Sequence, residues 1–267
     1  MWTEPFILRG LLAAGTMAVL AGPIGCLMIW RRMAYFSDAL SHSALAGVLL
    51  GIGLGIGQNA GVAVIVCLTA LLLVRVSEKF IIGTDLLLLI IGQTALCLGL
   101  IGLNCLPGIR TDLSAYLFGD VLSVSSRDLF FIAVTGSLCA ALLFFNWKKQ
   151  IFTAVLPDVA QSENVSTARQ SVIFMLLTAL FVSLALKTTG LLLVSALLLI
   201  PPAAARFLAK TPEGMAVTGS LIGLFSVVCG LACSVYFDMP AAPSMEIVCA
   251  VLFLLCCLLH RRHKIII

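Results

Sequence analysis

The chain has 267 residues, of which 61% are hydrophobic and 10% charged, and its formal net charge is +4. A soluble domain carries roughly 25% charged residues, so this composition, with a mean hydropathy of +1.17, excludes one. The ~10-residue alternating segments of a transmembrane barrel are absent as well. What remains is an all-α polytopic membrane protein, a single transmembrane domain over 1–267.

Apolar runs of spanning length fall at 8–30, 39–57, 60–76, 84–105, 128–146, 171–187, 190–205, 215–236 and 245–259. The first lacks the basic n-region of a signal peptide, since Glu4 and Arg9 cancel, and it continues to Trp30; it reads as an uncleaved helix. The second opens on a polar stretch, "YFSDALSHSALAGVLLG" (35–51), and carries Asp38 and His42. Gly47, Gly51 and Gly55 follow at every fourth position, a spacing that lets helices approach closely. Near its end the seventh run carries Pro201 and Pro202, which remove two backbone donors, so eight or nine spans are expected.

Lys and Arg concentrate on the cytoplasmic side of membrane proteins. With the amino terminus outside, the inner segments hold Arg31, Arg32, Arg75, Lys79, Lys148, Lys149, Arg169, Arg206, Lys210, Arg261, Arg262 and Lys264. Only Arg9, Arg110, Arg127 and Lys187 stay outside. Twelve of the sixteen basic residues therefore lie inside, which favours nine spans and a cytoplasmic carboxyl terminus. Two connections exceed simple turns: an outer one at 106–128 and a polar inner one at 146–170 with helix-forming stretches. The ten cysteines lie almost entirely in apolar runs and form no CxxC pair, so they read as small hydrophobes.

Asp38 and His42 are four residues apart and share a helix face. Ionisable groups inside a span mark pathways or sites. A carboxylate with an imidazole is a borderline-hard pair that suits zinc, manganese or ferrous iron better than copper(I). The competing reading makes Ser37 or Asp38 the N-cap of the second helix. Two ligands do not fill a metal's coordination shell. The others must come from another helix, water or a second copy of the chain.

"WRRMAYFSDALSHSALAGVLLG" (30–51) closely resembles the RRM-x-x-x-x-D-x-x-x-H-x-x-x-x-G segment of permeases that import zinc, manganese or iron in bacterial ABC transporters. "DLSAYLFGDVLSVSSRDL", "GLLLVSALLLIPPAAARFLAKTPE" and "YFDMPAAPS" resemble that family's outer loop, Pro-Ala-Ala helix and Asp-x-Pro-x-Gly-Pro segment, in the same order. The likeness covers residue 5 to about 260 and is closest to the zinc-uptake branch.

The resemblance implies a homodimer of permeases in the bacterial inner membrane. Its partners would be cytoplasmic ABC ATPase subunits and a periplasmic metal-binding protein; membrane lipid surrounds it, and no nucleic acid is involved. Asp38 and His42 would meet the transported ion, and Gln93 and Asp238 would lie on the pathway or its outer mouth. Asp158 and Ala160, in "LPDVAQSENVS", would belong to the segment that docks the ATPase, although the family's following Gly is absent. Gln93 stands where zinc-type relatives often place a histidine, and Ala242 replaces a family Gly.

The chain has no G-x-x-x-x-G-K-[ST], so it holds no ATP through a P-loop. It is expected to be no enzyme and to keep no permanent cofactor, with the divalent metal as cargo. The rival is a proton-coupled secondary metal transporter, a class that often shows internal repeats. No convincing repeated halves are visible. An intramembrane hydrolase built on Ser41 or Ser43 with His42 fails because adjacent helical positions point about 100° apart.

Overall fold

The structure is a computed structural model describing residues 4–77, 84–105 and 119–265. Of the expected outer connection, 106–118 lie outside the described residues, as do Lys79 and Arg110. Among the described residues nine helices are long and apolar enough to cross a membrane. In chain order the helices are α1 Pro5–Trp30, α2 Phe36–Gly53, α3 Gln58–Ser77, α4 Thr84–Cys105, α5 Ser126–Val155 and the short α6 Pro157–Ser162. Then come α7 Thr167–Leu186, α8 Thr188–Ala205, α9 Pro212–Phe237 and α10 Ala241–Ile265.

Local chemistry sets several helix ends. Ser125 and Asp128 form a reciprocal capping box at the start of α5. Ser166 accepts from the Arg169 N–H, and Thr211 from the Gly214 N–H, at the starts of α7 and α9. α1 ends differently. Arg32 takes a left-handed φ of 56°, and the Met33 N–H reaches back to the Met28 carbonyl at 3.0 Å.

The stretch Thr167–Ala205 is helical throughout except at Gly190 (φ 74°, ψ 171°). Ser171, near its beginning, accepts a hydrogen bond from Arg31 at the end of α1. Ala205, at its end, clusters with Cys26 of that same helix end. Both termini therefore lie at one end of the bundle, and the chain reverses at Gly190. A glycine suits this backbone because a side chain rarely adopts it. Thr188 and Thr189 donate their hydroxyls to the Ala185 carbonyl there.

Pro201 and Pro202 do not stop α8, which runs on to Ala205. Each proline deprives the carbonyl four residues earlier of its donor. For Pro202 that carbonyl belongs to Leu198, and it faces Gly25, where it is the nearest atom to the place a Cβ would take. Close backbone approach across a glycine thus shapes the α1–α8 contact.

Glycine spacing works likewise in α2, which packs along α3 and α4. A Cβ on Gly47 would meet the Val62 Cα at 2.6 Å, and one on Gly51 would meet the Gln58 Cα at 3.0 Å. Gly55 does not continue this packing face. α2 ends at Gly53, and Gly55 has φ 66° and nothing within 4 Å of a notional Cβ. It makes a turn that favours glycine, and among the described residues none lies against it. The four-residue spacing ran past the end of the helix.

These contacts set a stability test. Gly25→Ala places a methyl group 2.7 Å from the Pro202 Cγ and should cost about 1–3 kcal/mol through overpacking. Gly53→Ala meets open space and should leave the thermal unfolding midpoint in detergent unchanged or slightly higher. Equal behaviour of the two variants would contradict the close α1–α8 packing.

Candidate metal centre

α2 begins at Phe36 after a turn in which Tyr35 holds the N-cap position without a side-chain cap. Ser37 and Asp38 are therefore inside the first turn, and neither caps the helix. The Asp38 carboxylate still sits at the positive end of the helix dipole. His42 follows one turn later, and both residues are half-buried. Among the described residues neither side chain makes a hydrogen bond or an ion pair. The hydroxyls of their neighbours Ser37 and Ser41 are buried and also without a partner.

Gln93 on α4 comes to the same level. Gly92 lies against Ala39, with 2.7 Å between a notional Cβ and the Ala39 Cα. The next residue, Gln93, is exposed on this chain. Its carbonyl oxygen is a harder donor than imidazole. Asp238 is not part of this group. It terminates α9 with φ 54° and ψ 45°, exposed beside the α9–α10 turn, where the Ser234 hydroxyl donates to the Met239 carbonyl.

One carboxylate escaped the sequence reading. Glu246 is half-buried in α10, within electrostatic reach of Asp38. The signal was present, since an acidic residue stands inside the last apolar run. Among the described residues no three His, Cys, Asp or Glu side chains are arranged to hold a metal.

Asp158 and Ala160 lie on α6. Asp158 is exposed, whereas Ala160 is fully buried, and its carbonyl accepts the Val165 N–H at 2.9 Å. The exposed apolar groups of this segment are Val155, Leu156 and Val159. Arg31 braces the segment from below. It donates to Gln150 Oε1 at 2.7 Å, to Thr153 Oγ1 at 3.1 Å and to Ser171 Oγ at 3.1 Å, and its Cζ stands 5.0 Å from the centre of the Phe174 ring. Gln150 passes the connection on to Gln170. Burial pulls the Arg31 guanidinium down to about 10, so it remains charged at neutral pH.

Among the described residues, nine apolar spans, a carboxylate and an imidazole one turn apart within one of them, and a short helix between α5 and α7 describe a multi-pass membrane permease. The chain matches the model of the ABC 3 transport family over residues 3–260 and belongs to that family. It is 36% identical to the high-affinity zinc uptake system membrane protein ZnuB of Haemophilus influenzae, over 94% of this chain and 95% of that protein. It is 30% identical to the manganese transport system membrane protein MntC of Halalkalibacterium halodurans, over 94% and 86% of the two chains. Among solved structures it is similar to PsaBC from Streptococcus pneumoniae in complex with Fab, with a TM-score of 0.84 and 28% identity. That match covers 95% of this chain and 91% of the other.

Because Asp38 contributes no cap hydrogen bond, Asp38→Asn and Asp38→Ala should unfold alike, within about 0.5 kcal/mol of each other. A loss of about 1 kcal/mol in Ala but not in Asn, measured by thermal unfolding, would restore the capping role.

Proposed function

We propose that this chain is the permease subunit of an ATP-driven importer of divalent metal ions in the bacterial inner membrane, with zinc as the principal cargo. It works as a pair of permeases with cytoplasmic ATPase subunits and a periplasmic metal-binding protein. The observation that carries the reading is the Asp38–His42 pair, a half-buried carboxylate and imidazole on one helix face with no cation bonded to them among the described residues. Membership of the ABC 3 transport family and similarity to a zinc uptake protein support it. Manganese is the second reading, supported by the level of Gln93 on α4 and the likeness to manganese permeases.

In this reading the Arg31 end of the bundle is cytoplasmic, as its share of the basic residues favours. Metal released near Asp238 passes to Asp38 and His42, whose remaining coordination comes from the second permease copy and water. The permease breaks no bond. The ATPase moves the α6 segment through Asp158, Ala160 and the exposed apolar groups around them, and the two permeases switch access.

Uptake of labelled zinc and manganese, in a strain lacking its own importer, tests the site. Asp38→Asn and His42→Ala should each lower uptake by tenfold or more while membrane levels stay normal, because Asn keeps the shape but loses the charge facing a divalent ion. Wild-type uptake by Asp38→Asn would remove this residue from the pathway.

The docking segment has its own test. Asp158→Arg with Val159→Arg should uncouple ATP hydrolysis from uptake without loss of insertion. Ala160 is unsuitable for it, since its buried position would turn any larger side chain into a folding defect. Unchanged uptake and unchanged ATPase co-purification would make α6 a solvated connection.

A further inference from the structure

A cavity of about 660 Å³ opens at the Arg31 end of the bundle, where α1, α3, α4, α5, α7 and α8 converge. Its polar lining is unusual for a protein that moves cations. Arg31, Arg32 and Arg206 all line it, together with Thr84, Thr153 and Ser171, and no described lining residue is acidic. Three guanidinium groups repel a divalent cation, so the cavity does not continue the route marked by Asp38 and His42.

The rest of the lining is apolar and includes Trp30, Val74 and Met175. Trp30 is the last residue of α1 and Thr84 the first of α4, so the cavity sits at the edge of the apolar layer. Trp30, Val155, Arg32 and Arg206 are exposed as well as lining it, so it reaches the surface of the chain. Arg31 is committed to neutral partners, and its buried Nε–H has no acceptor. A buried cation without a counter-charge is costly, and the other two arginines add to the same field.

We propose that this cavity binds the phosphate headgroup of an anionic phospholipid from the adjacent leaflet. Arg32 and Arg206 would hold the phosphate, and Arg31 would supply field from within the wall. The hydroxyls of Thr84 and Ser171 offer further donors, and the apolar lining beside Trp30 accepts the start of the acyl chains. Basic pockets between spans on the cytoplasmic side commonly take such headgroups. A planar fork of donors suits a phosphate better than an ammonium point charge does. A lipid fits this place better than an acidic loop of a soluble partner because half of the lining is apolar and lies level with the span ends.

The test uses the full chain in its assembled complex, purified in mild detergent. Native mass spectrometry reads the retained lipid, and thermal unfolding is followed with added phosphatidylglycerol, phosphatidylcholine or inorganic phosphate. The parent should retain phosphatidylglycerol and melt several degrees higher with it, and phosphatidylcholine should do neither. Arg32→Gln with Arg206→Gln should weaken retention by roughly ten- to thirty-fold, while melting as the parent does in phosphatidylcholine alone. Arg31 is left intact because it fastens three helices. Equal effects of the two lipids, or protection by millimolar inorganic phosphate equal to that by phosphatidylglycerol, would overturn the lipid assignment. So would a double variant that retains phosphatidylglycerol as the parent does but loses the ATPase, which would make the cavity part of that interface.

Discussion

Arg31 stands where α1 ends, and its guanidinium bonds to the last turns of α5 and the first of α7. All three acceptors are neutral, so nothing in the network cancels the charge. Two features make it tolerable there. The guanidinium lies at the negative end of the α1 dipole, and it faces the Phe174 ring. The consequences spread from this point. α5 and α7 are the helices on either side of α6, so the fastening sets the base from which that short helix projects. At the very next residue, the left-handed turn at Arg32 starts the chain toward α2 and hence toward Asp38 and His42.

Within the apolar layer a different rule holds the helices together. Lipid tails are as apolar as leucine, so association relies on close packing rather than on escape from water. The contacts of α1 with α8, α2 with α3, and α2 with α4 all run through glycines set against backbone atoms. The α2 contacts matter most for function. Gly47 and Gly51 fix α2 on α3, and Gly92 brings α4 against Ala39, the residue after Asp38. The proposed metal ligands therefore sit on a helix held from both sides by backbone-to-backbone contact, and a small shift there would move both of them together.

The charges divide the molecule in two. Asp38, His42 and Glu246 place ionisable side chains on α2 and α10 within the spans, whereas Arg31, Arg32 and Arg206 line the cavity at the α1 end. Under the proposed function this separation would draw the cation to one place and turn it away from the other. Glu246 also places a second carboxylate within electrostatic reach of Asp38. Two like charges in a low-dielectric layer are unfavourable without a cation between or near them.

Much of this was legible in the residues themselves. The spans follow from length and apolar content, because the bilayer demands about twenty apolar residues per crossing. The i, i+4 relation of Asp38 and His42 follows from helical geometry. What the residues alone left open was decided by contacts between distant segments. Pro201 and Pro202 leave the seventh run doubtful as a span in sequence, and it is the packing beside Gly25 of α1 that carries α8 through them. Gly55 repeats the spacing of Gly47 and Gly51, yet the helix stops before it. Glu246 lies some two hundred residues from Asp38 along the chain, so no spacing rule links them. Arg31, Gln150 and Ser171 are joined only because α1, α5 and α7 end or begin at one place. Local rules reach about one helical turn along the chain, and every one of these features depends on which helix lies against which.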